Sequence, residues 1–283
     1  MSLIDLSRKG LARLPPTIRR RVPKGPRHYA PWEAGFDFTP RRPPGPGEKA
    51  GPPDFVGIGV QKAGTTRWHK LILAHPGVSP AGIDKELHYF GRFRSEPFGP
   101  VDIDCYHGWF PRREGTLTGE WTPDYFSTSG TAPLLKAAAP DTRLLLLLRD
   151  PVERFRSGLN HSLVMVISGR PGEHHIQRGF YDRSLDEWLR CFDAEQLLVL
   201  QYERCVADPE NQLNATYRHL GLPEFRPSGI EEHVGTKADV TIGLDPDVKR
   251  RLVEIYEADV VALARRLPDL DLTLWPNFSY LAE

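Results

Sequence analysis

Three short apolar runs, each followed by a stretch with helical spacing, dominate the pattern of hydrophobic and polar positions. The first run covers 55–60, and after it Trp68, Leu71 and Ile72 recur at three- and four-residue intervals. The second is the block Leu144 to Leu148, five leucines bounded by charge, as suits a strand buried on both faces in the middle of a parallel sheet. The third covers 196–201. The pattern predicts strands over these segments, helices over 65–74, 152–167 and 209–220, and a further helix including 136–139. Strand and helix alternate, which implies right-handed crossovers and a three-layer α/β/α arrangement around a central parallel sheet. Segments 80–118 and 168–182, rich in Gly, Pro, Arg and aromatics, read as too irregular to be core and as the gate through which an acceptor would enter. Within them Phe93, Phe98, Tyr106, Trp109 and Phe110 form either a sugar-stacking or lipid-facing wall or a packed mini-core.

The junction after the first strand carries chemistry. The turn supplies Gly59, Ala63 and Gly64, small enough for backbone to approach a ligand, and the helix that follows offers unpaired amide N–H groups and partial positive charge. An anion suits such a place. Thr65 and Thr66 add hydroxyls, and Lys62 adds a full charge. A nucleoside-triphosphate loop reads G-x-x-x-x-G-K-[ST], with its lysine after the last glycine. Here Gly59 and Gly64 keep that separation, but Thr65 stands where the lysine belongs and the lysine is upstream at position 62. The fold is therefore P-loop-like while the motif argues against a kinase. A single 5′-phosphate bearing a transferable group, with no need of a metal if that group is a sulfuryl, fits better. An ordinary strand-to-helix turn is the bland alternative.

The second anchor is 142–158. Asp150 before Pro151 marks a helix start, and Arg149 falls at the carboxyl end of the leucine strand, the edge at which open α/β sheets bind ligands. Arg149 either serves a ligand there or pairs with Asp150 or Glu153 at a surface turn.

Taken together, Gln61-Lys-Ala-Gly-Thr-Thr66 and Arg149-Asp-Pro-x-x-Arg-x-x-Ser157 resemble the two donor-binding signatures of sulfotransferases that use 3′-phosphoadenosine 5′-phosphosulfate (PAPS). The resemblance is closer to the carbohydrate branch, the heparan sulfate N- and O-sulfotransferase type. Lys85-Glu-Leu-His-Tyr-Phe90 is similar to its K-E-x-H-F-F segment and Glu120-Trp-Thr-Pro-Asp-Tyr-Phe126 to its E-K-T-P-x-Y-F segment; further matches follow in order to about residue 276. The resemblance implies that Lys62, Ala63, Gly64, Thr65 and Thr66 hold the 5′-phosphosulfate, with Lys62 at the leaving oxygen. It implies that Arg149 and Ser157 hold the 3′-phosphate and that Glu86 is the general base. His88 is the alternative base, sharing a side with Glu86 on an extended segment, and Lys237 is the remaining basic residue of a C-terminal donor patch. Thr122 and Asp124 are candidates for the acceptor side. One departure stands out: Trp121 replaces the lysine of E-K-T-P, which would put an aromatic surface where the family has a cation near the reacting centre.

Composition shapes the remaining expectations. With 283 residues and 40% hydrophobic content the chain supports one α/β domain over 54–283. Residues 1–53 hold eleven of the 27 prolines and a charge of about +7 (eleven Lys and Arg against four Asp and Glu), reading as an extended arm that lies over its own domain, meets a second subunit, touches anionic membrane or stays disordered. The body then carries about −7, which suits a small or neutral acceptor such as a glycoside, lipid or metabolite hydroxyl better than a long polyanion. No apolar run approaches the roughly 20 residues of a membrane span and no signal peptide is evident. A cytoplasmic, bacterial enzyme is expected. Cys105, Cys191 and Cys205 show no metal-ligand spacing, no histidine grouping suggests a metal, and nothing beyond the basic arm points to nucleic acid. A small-molecule kinase and a noncatalytic nucleotide-binding protein are the competing function classes; the first needs a lysine at position 65 and ATP, the second has no need of Glu86.

Overall fold

The computed structural model describes residues 36–40, 43–83, 85–94, 96–167, 175–231 and 243–282, with the side chains of 94 and 162–167 left aside. Its strands are β1 (Glu48–Lys49), β2 (Phe55–Gly59), β3 (Arg112–Arg113), β4 (Gly119–Trp121), β5 (Arg143–Leu148) and β6 (Leu197–Gln201). Its α-helices are α1 (Thr65–Leu73), α2 (Pro100–His107), α3 (Thr131–Ala138), α4 (Pro151–Ile167), α5 (Tyr181–Leu189), α6 (Tyr202–Ala207), α7 (Pro209–Leu220) and α8 (Pro246–Arg266).

The central sheet runs β4-β2-β5-β6, all parallel, and the expected α/β architecture is borne out. β2 and β5 lie inside it, and Leu144 to Leu148 are all buried, which is why that stretch is continuously apolar rather than alternating. Within this sheet only β4 was not foreseen as a strand; the two-residue β1 and β3, also unforeseen, pair outside it. At three residues β4 is too short to show a period, and it joins the sheet because Phe55, Val56 and Gly57 of β2 offer it their free edge.

β4 also makes room for its own indole. A Cβ on Gly57 would come within 2.0 Å of Trp121 Cδ2, so only glycine leaves space for this ring, which is wholly buried and donates from Nε1 to Gly59 O at 3.3 Å. The aromatic surface expected near a reacting centre is thus part of the core beneath the turn that follows β2.

Segment 80–118 is corrected likewise. Leu87, Tyr89, Phe90, Phe93, Tyr106, Trp109 and Phe110 are buried, and Tyr89, Phe90, Phe93, Phe98 and Tyr106 pack ring against ring with centroids 4.8–6.0 Å apart. Of the five aromatics considered for a wall, four are core and only Phe98 is half-buried. The irregular backbone misled because aromatic packing there needs no regular period. The described end of the Pro-rich arm lies on this cluster: Phe38 O accepts from Trp109 Nε1 at 2.8 Å and from Cys105 Sγ at 3.2 Å, and β1 pairs antiparallel with β3.

Candidate functional site

The turn between β2 and α1 is shaped by two left-handed residues. Gly64, with φ 83, is the N-cap of α1, and no side chain caps the helix, so its first amides are left for a ligand or solvent. Lys62 has φ 69, a conformation that costs a non-glycine residue on the order of 1 kcal/mol or more. Ala63 and Thr65 are buried, Thr66 and Gly64 exposed.

Arg149, at the end of β5, reaches this turn directly. Its Nη1 donates to Lys62 O at 2.9 Å and the guanidinium lies 4.5 Å from the centroid of the Tyr202 ring, while Nε is buried without a partner. Asp150 Oδ1 caps α4 through Val152 N and Glu153 N, at 2.9 and 3.2 Å, and Asp150 Oδ2 accepts from Asn277. Glu153 binds Arg156. Both acids are engaged elsewhere, and Arg149 instead meets the turn between β2 and α1. Ser157 is half-buried two turns into α4. Lys237 lies outside the described residues.

Glu86 and His88 both have positive φ, 62 and 51. The segment is therefore not extended as expected, yet the side chains still meet, with His88 Nε2 3.5 Å from Glu86 Oε2. Lys85 Nζ bonds to Glu86 Oε1 and lies 3.4 Å from Thr65 Oγ1, so one lysine joins the carboxylate to the first residue of α1. Burial pushes the Glu86 carboxyl upward, but the His88 hydrogen bond and the Lys85 charge outweigh it and hold the group down to about 2. Lys62, Glu86 and His88 are the non-glycine residues with left-handed backbone among those described. All three fall on the segments singled out by sequence.

Other residues near the site were not anticipated. His69, on α1, is 3% exposed with Nε2 unpartnered; burial first, then the Lys85 charge, lower it to about 4, so it is neutral at pH 7. Arg178 bonds to Gln61 Oε1 and forms an ion pair with Asp124 at 2.8 Å, tying the turn after β2 to the segment after β4. Thr122 is wholly buried, so it does not line an open acceptor cleft.

The sulfotransferase family's sequence model matches residues 111–227. Among curated relatives, a Homo sapiens heparan sulfate glucosamine 3-O-sulfotransferase 3A1 is 30% identical over 254 residues, covering 76% of this chain and 61% of its own length. A Mus musculus heparan sulfate glucosamine 3-O-sulfotransferase 6 is 29% identical, covering 74% and 64% respectively. A Caenorhabditis elegans bifunctional heparan sulfate N-deacetylase/N-sulfotransferase 1 is 24% identical, covering 71% of this chain and 24% of the relative. The chain thus spans less than two thirds of each. Among solved structures, a sulfotransferase from Alicyclobacillus acidocaldarius superposes with TM-score 0.62 at 22% identity, covering 79% of this chain and 98% of that one. One from Mycobacterium avium gives TM-score 0.50 at 15% identity, covering 79% and 78%. These two structures share the fold. The likeness to the sulfotransferase family is borne out. The curated relatives it resembles are heparan sulfate N- and 3-O-sulfotransferases, so the likeness is to the carbohydrate branch.

One expectation falls. The cytoplasmic, bacterial assignment is overturned by these relatives, which are human, mouse and nematode heparan sulfate sulfotransferases. Among the described residues, no helix is long and apolar enough to cross a membrane.

Proposed function

We propose that this chain moves a sulfuryl group from PAPS to a hydroxyl or amine of a carbohydrate acceptor, with Glu86 as general base. The observation that carries the reading is the coincidence of strain and motif: left-handed backbone at Lys62, Glu86 and His88, on the two segments that chemistry requires.

The buried, unpartnered Nε of Arg149 is a donor in want of an acceptor, and it sits beside the turn whose small residues leave backbone open. That donor set fits a ligand with separate phosphates: Lys62, Gly64, Thr65 and Thr66 would hold the 5′ end, and Arg149 and Ser157 the 3′-phosphate. When bound, the donor supplies a sulfur–oxygen bond that breaks as the acceptor atom bonds to sulfur, the electron pair leaving on the phosphate oxygen. Lys62 balances the charge that develops on that oxygen. Glu86 takes the acceptor's proton. In the present arrangement Glu86 is ionised but weakly basic, because Lys85 and His88 hold it. Lys85 already lies 3.4 Å from Thr65 Oγ1; moving toward it and away from Glu86 raises the basicity of the carboxylate. Thus one lysine couples an occupied phosphate turn to a competent base.

A carbohydrate acceptor is favoured by the relatives, which are named for heparan sulfate chemistry. Calorimetry tests the donor side: adenosine 3′,5′-bisphosphate should bind more tightly than ATP, and equal affinities would favour a kinase. Glu86→Gln should abolish transfer of labelled sulfate while keeping bisphosphate binding; normal turnover in that variant rejects the base. Labelled transfer to a panel of sugars, phenols and lipids identifies the acceptor.

A further inference from the structure

The left-handed turns at Glu86 and His88 are held from below by one buried carboxylate. Glu120, in β4, is 1% exposed, and its register partner in β2 is Val56. Its Oε2 accepts from Leu87 N at 3.2 Å and from Thr122 Oγ1 at 2.5 Å, and its Oε1 accepts from Tyr106 OH at 2.9 Å and Tyr125 OH at 3.1 Å. Each of two hydroxyls then does double duty. Thr122 Oγ1 accepts from His88 N at 3.3 Å, and Tyr125 OH accepts from Tyr89 N at 2.9 Å. Three successive amides, 87 to 89, therefore converge on Glu120, one directly and two through a hydroxyl.

We infer that Glu120, acting through Thr122 and Tyr125, is the positioning residue that fixes the Glu86 carboxylate against Lys85 and the phosphate turn. This rests on the assignment of Glu86 as base. An ionised carboxylate only accepts, with about four lone-pair sites, and four donors occupy them here. Each hydroxyl spends its proton on Glu120 and is left with a lone pair for the backbone, so the direction of every bond in the relay is set by the charge at its centre. A protonated or amide side chain at 120 would carry a donor of its own, and one of the four would face it. Burial pushes the Glu120 carboxyl upward, and the Thr122, Tyr106, Leu87 and Tyr125 donors oppose that rise. Because Glu120 belongs to the strand paired with β2, the base loop and the strand that ends in the phosphate turn share one rigid support.

Thr122→Val and Tyr125→Phe each delete one relay at nearly constant volume, and Thr122→Ser keeps the hydroxyl. Glu120→Gln probes the centre, with the two relay variants standing in for it should it fail to fold. Three readouts are taken on folded protein: titration of the Glu86 carboxyl by carbon NMR, with the signal assigned by its loss in Glu86→Gln; calorimetric Kd for adenosine 3′,5′-bisphosphate; and transfer of labelled sulfate from PAPS to a heparan sulfate oligosaccharide. In Thr122→Val and Tyr125→Phe the Glu86 midpoint should move up toward the ordinary carboxylate range of roughly 4, as Lys85 and His88 lose their alignment. Transfer should fall by about tenfold or more, in keeping with the sensitivity of catalysis to ångström misplacement, with the bisphosphate Kd within about twofold of the parent. Thr122→Ser should restore the parent titration. A merely structural role would lower Tm and leave the midpoint in place. If both relay variants titrate at Glu86 as the parent does, the inference is wrong, whatever their stability. Should Glu86→Gln itself turn over normally, the base assignment fails while the titration still decides the positioning.

Discussion

The tightest steric constraint beneath the phosphate turn joins Gly57 to Trp121, and it yields a quantitative expectation. Adding a methyl at Gly57 places carbon 2.0 Å from Trp121 Cδ2, 2.2 Å from Cγ and 2.5 Å from Cε2. Ordinary contact needs about 3.5–4 Å, so the ring must retreat by roughly 1.5 Å. It has nowhere to go: it is fully buried and held by the Nε1 bond to Gly59 O. Overpacking of this kind costs about 1–3 kcal/mol, and the added loss of a buried hydrogen bond costs about 1 kcal/mol. Gly57→Ala should therefore destabilise by about 3 kcal/mol, lowering Tm by about 6 °C or more for a chain of this size. Trp121→Leu alone loses packing worth about 3 kcal/mol. The double variant is the telling one. With the indole gone the new methyl fills part of the vacated space, so the pair should cost about 2 kcal/mol less than the sum of the singles. Denaturant unfolding of the four proteins measures that coupling. Additivity within about 0.5 kcal/mol would refute the claim that glycine is required at 57 by this ring. The same logic predicts that Trp121→Lys, which restores the family's residue, will not restore a cation to the site; it buries one and unfolds the protein.

Arg149→Lys should weaken adenosine 3′,5′-bisphosphate by about tenfold or more, through loss of planar multidentate donors, while adenosine 5′-monophosphate is hardly affected; equal losses for both nucleotides would remove Arg149 from the 3′-phosphate. His69 is depressed in the folded state to about 4, from an ordinary value of 6.5, so the unfolded chain binds more protons between these limits and stability falls as pH drops from 6.5 to 4. His69→Leu should flatten that slope in pH-dependent unfolding, and an unchanged slope would contradict it. Glu86 runs the other way in cause but loses stability on the same side: held at about 2, it contributes fully above its ordinary 4.5 and is lost as pH falls through 2. Glu86→Gln should accordingly be less stable at pH 6 than the parent, with the gap closing in acid.

Much of the fold was legible in the residues. Five unbroken leucines announce a doubly buried strand, and Asp150 with Pro151 announces the helix start; both fall where expected. The turn at 59–64 was readable because glycines at fixed spacing answer a local backbone demand, visible as φ 83 at Gly64. The aromatic segment 80–118 was misjudged because its burial comes from rings meeting across irregular backbone, with no repeat to betray it. Trp121 was misplaced for a related reason. Its position in a motif said which neighbours it had in sequence, whereas its burial depends on Gly57, 64 residues away.

Local order was thus written in the chain: which segments extend, where helices begin, and which small and basic residues form the turn between β2 and α1. Contact between Arg149 and Lys62, the left-handed pair at Glu86 and His88, and the Glu120 layer that underlies them exist only in three dimensions. The reason is physical. Propensity and periodicity act over a few residues, but a carboxylate's proton affinity depends on how the fold turns even adjacent groups such as Lys85 and His88 toward Glu86, and the backbone that turns them is held by Glu120, 33 residues beyond Leu87.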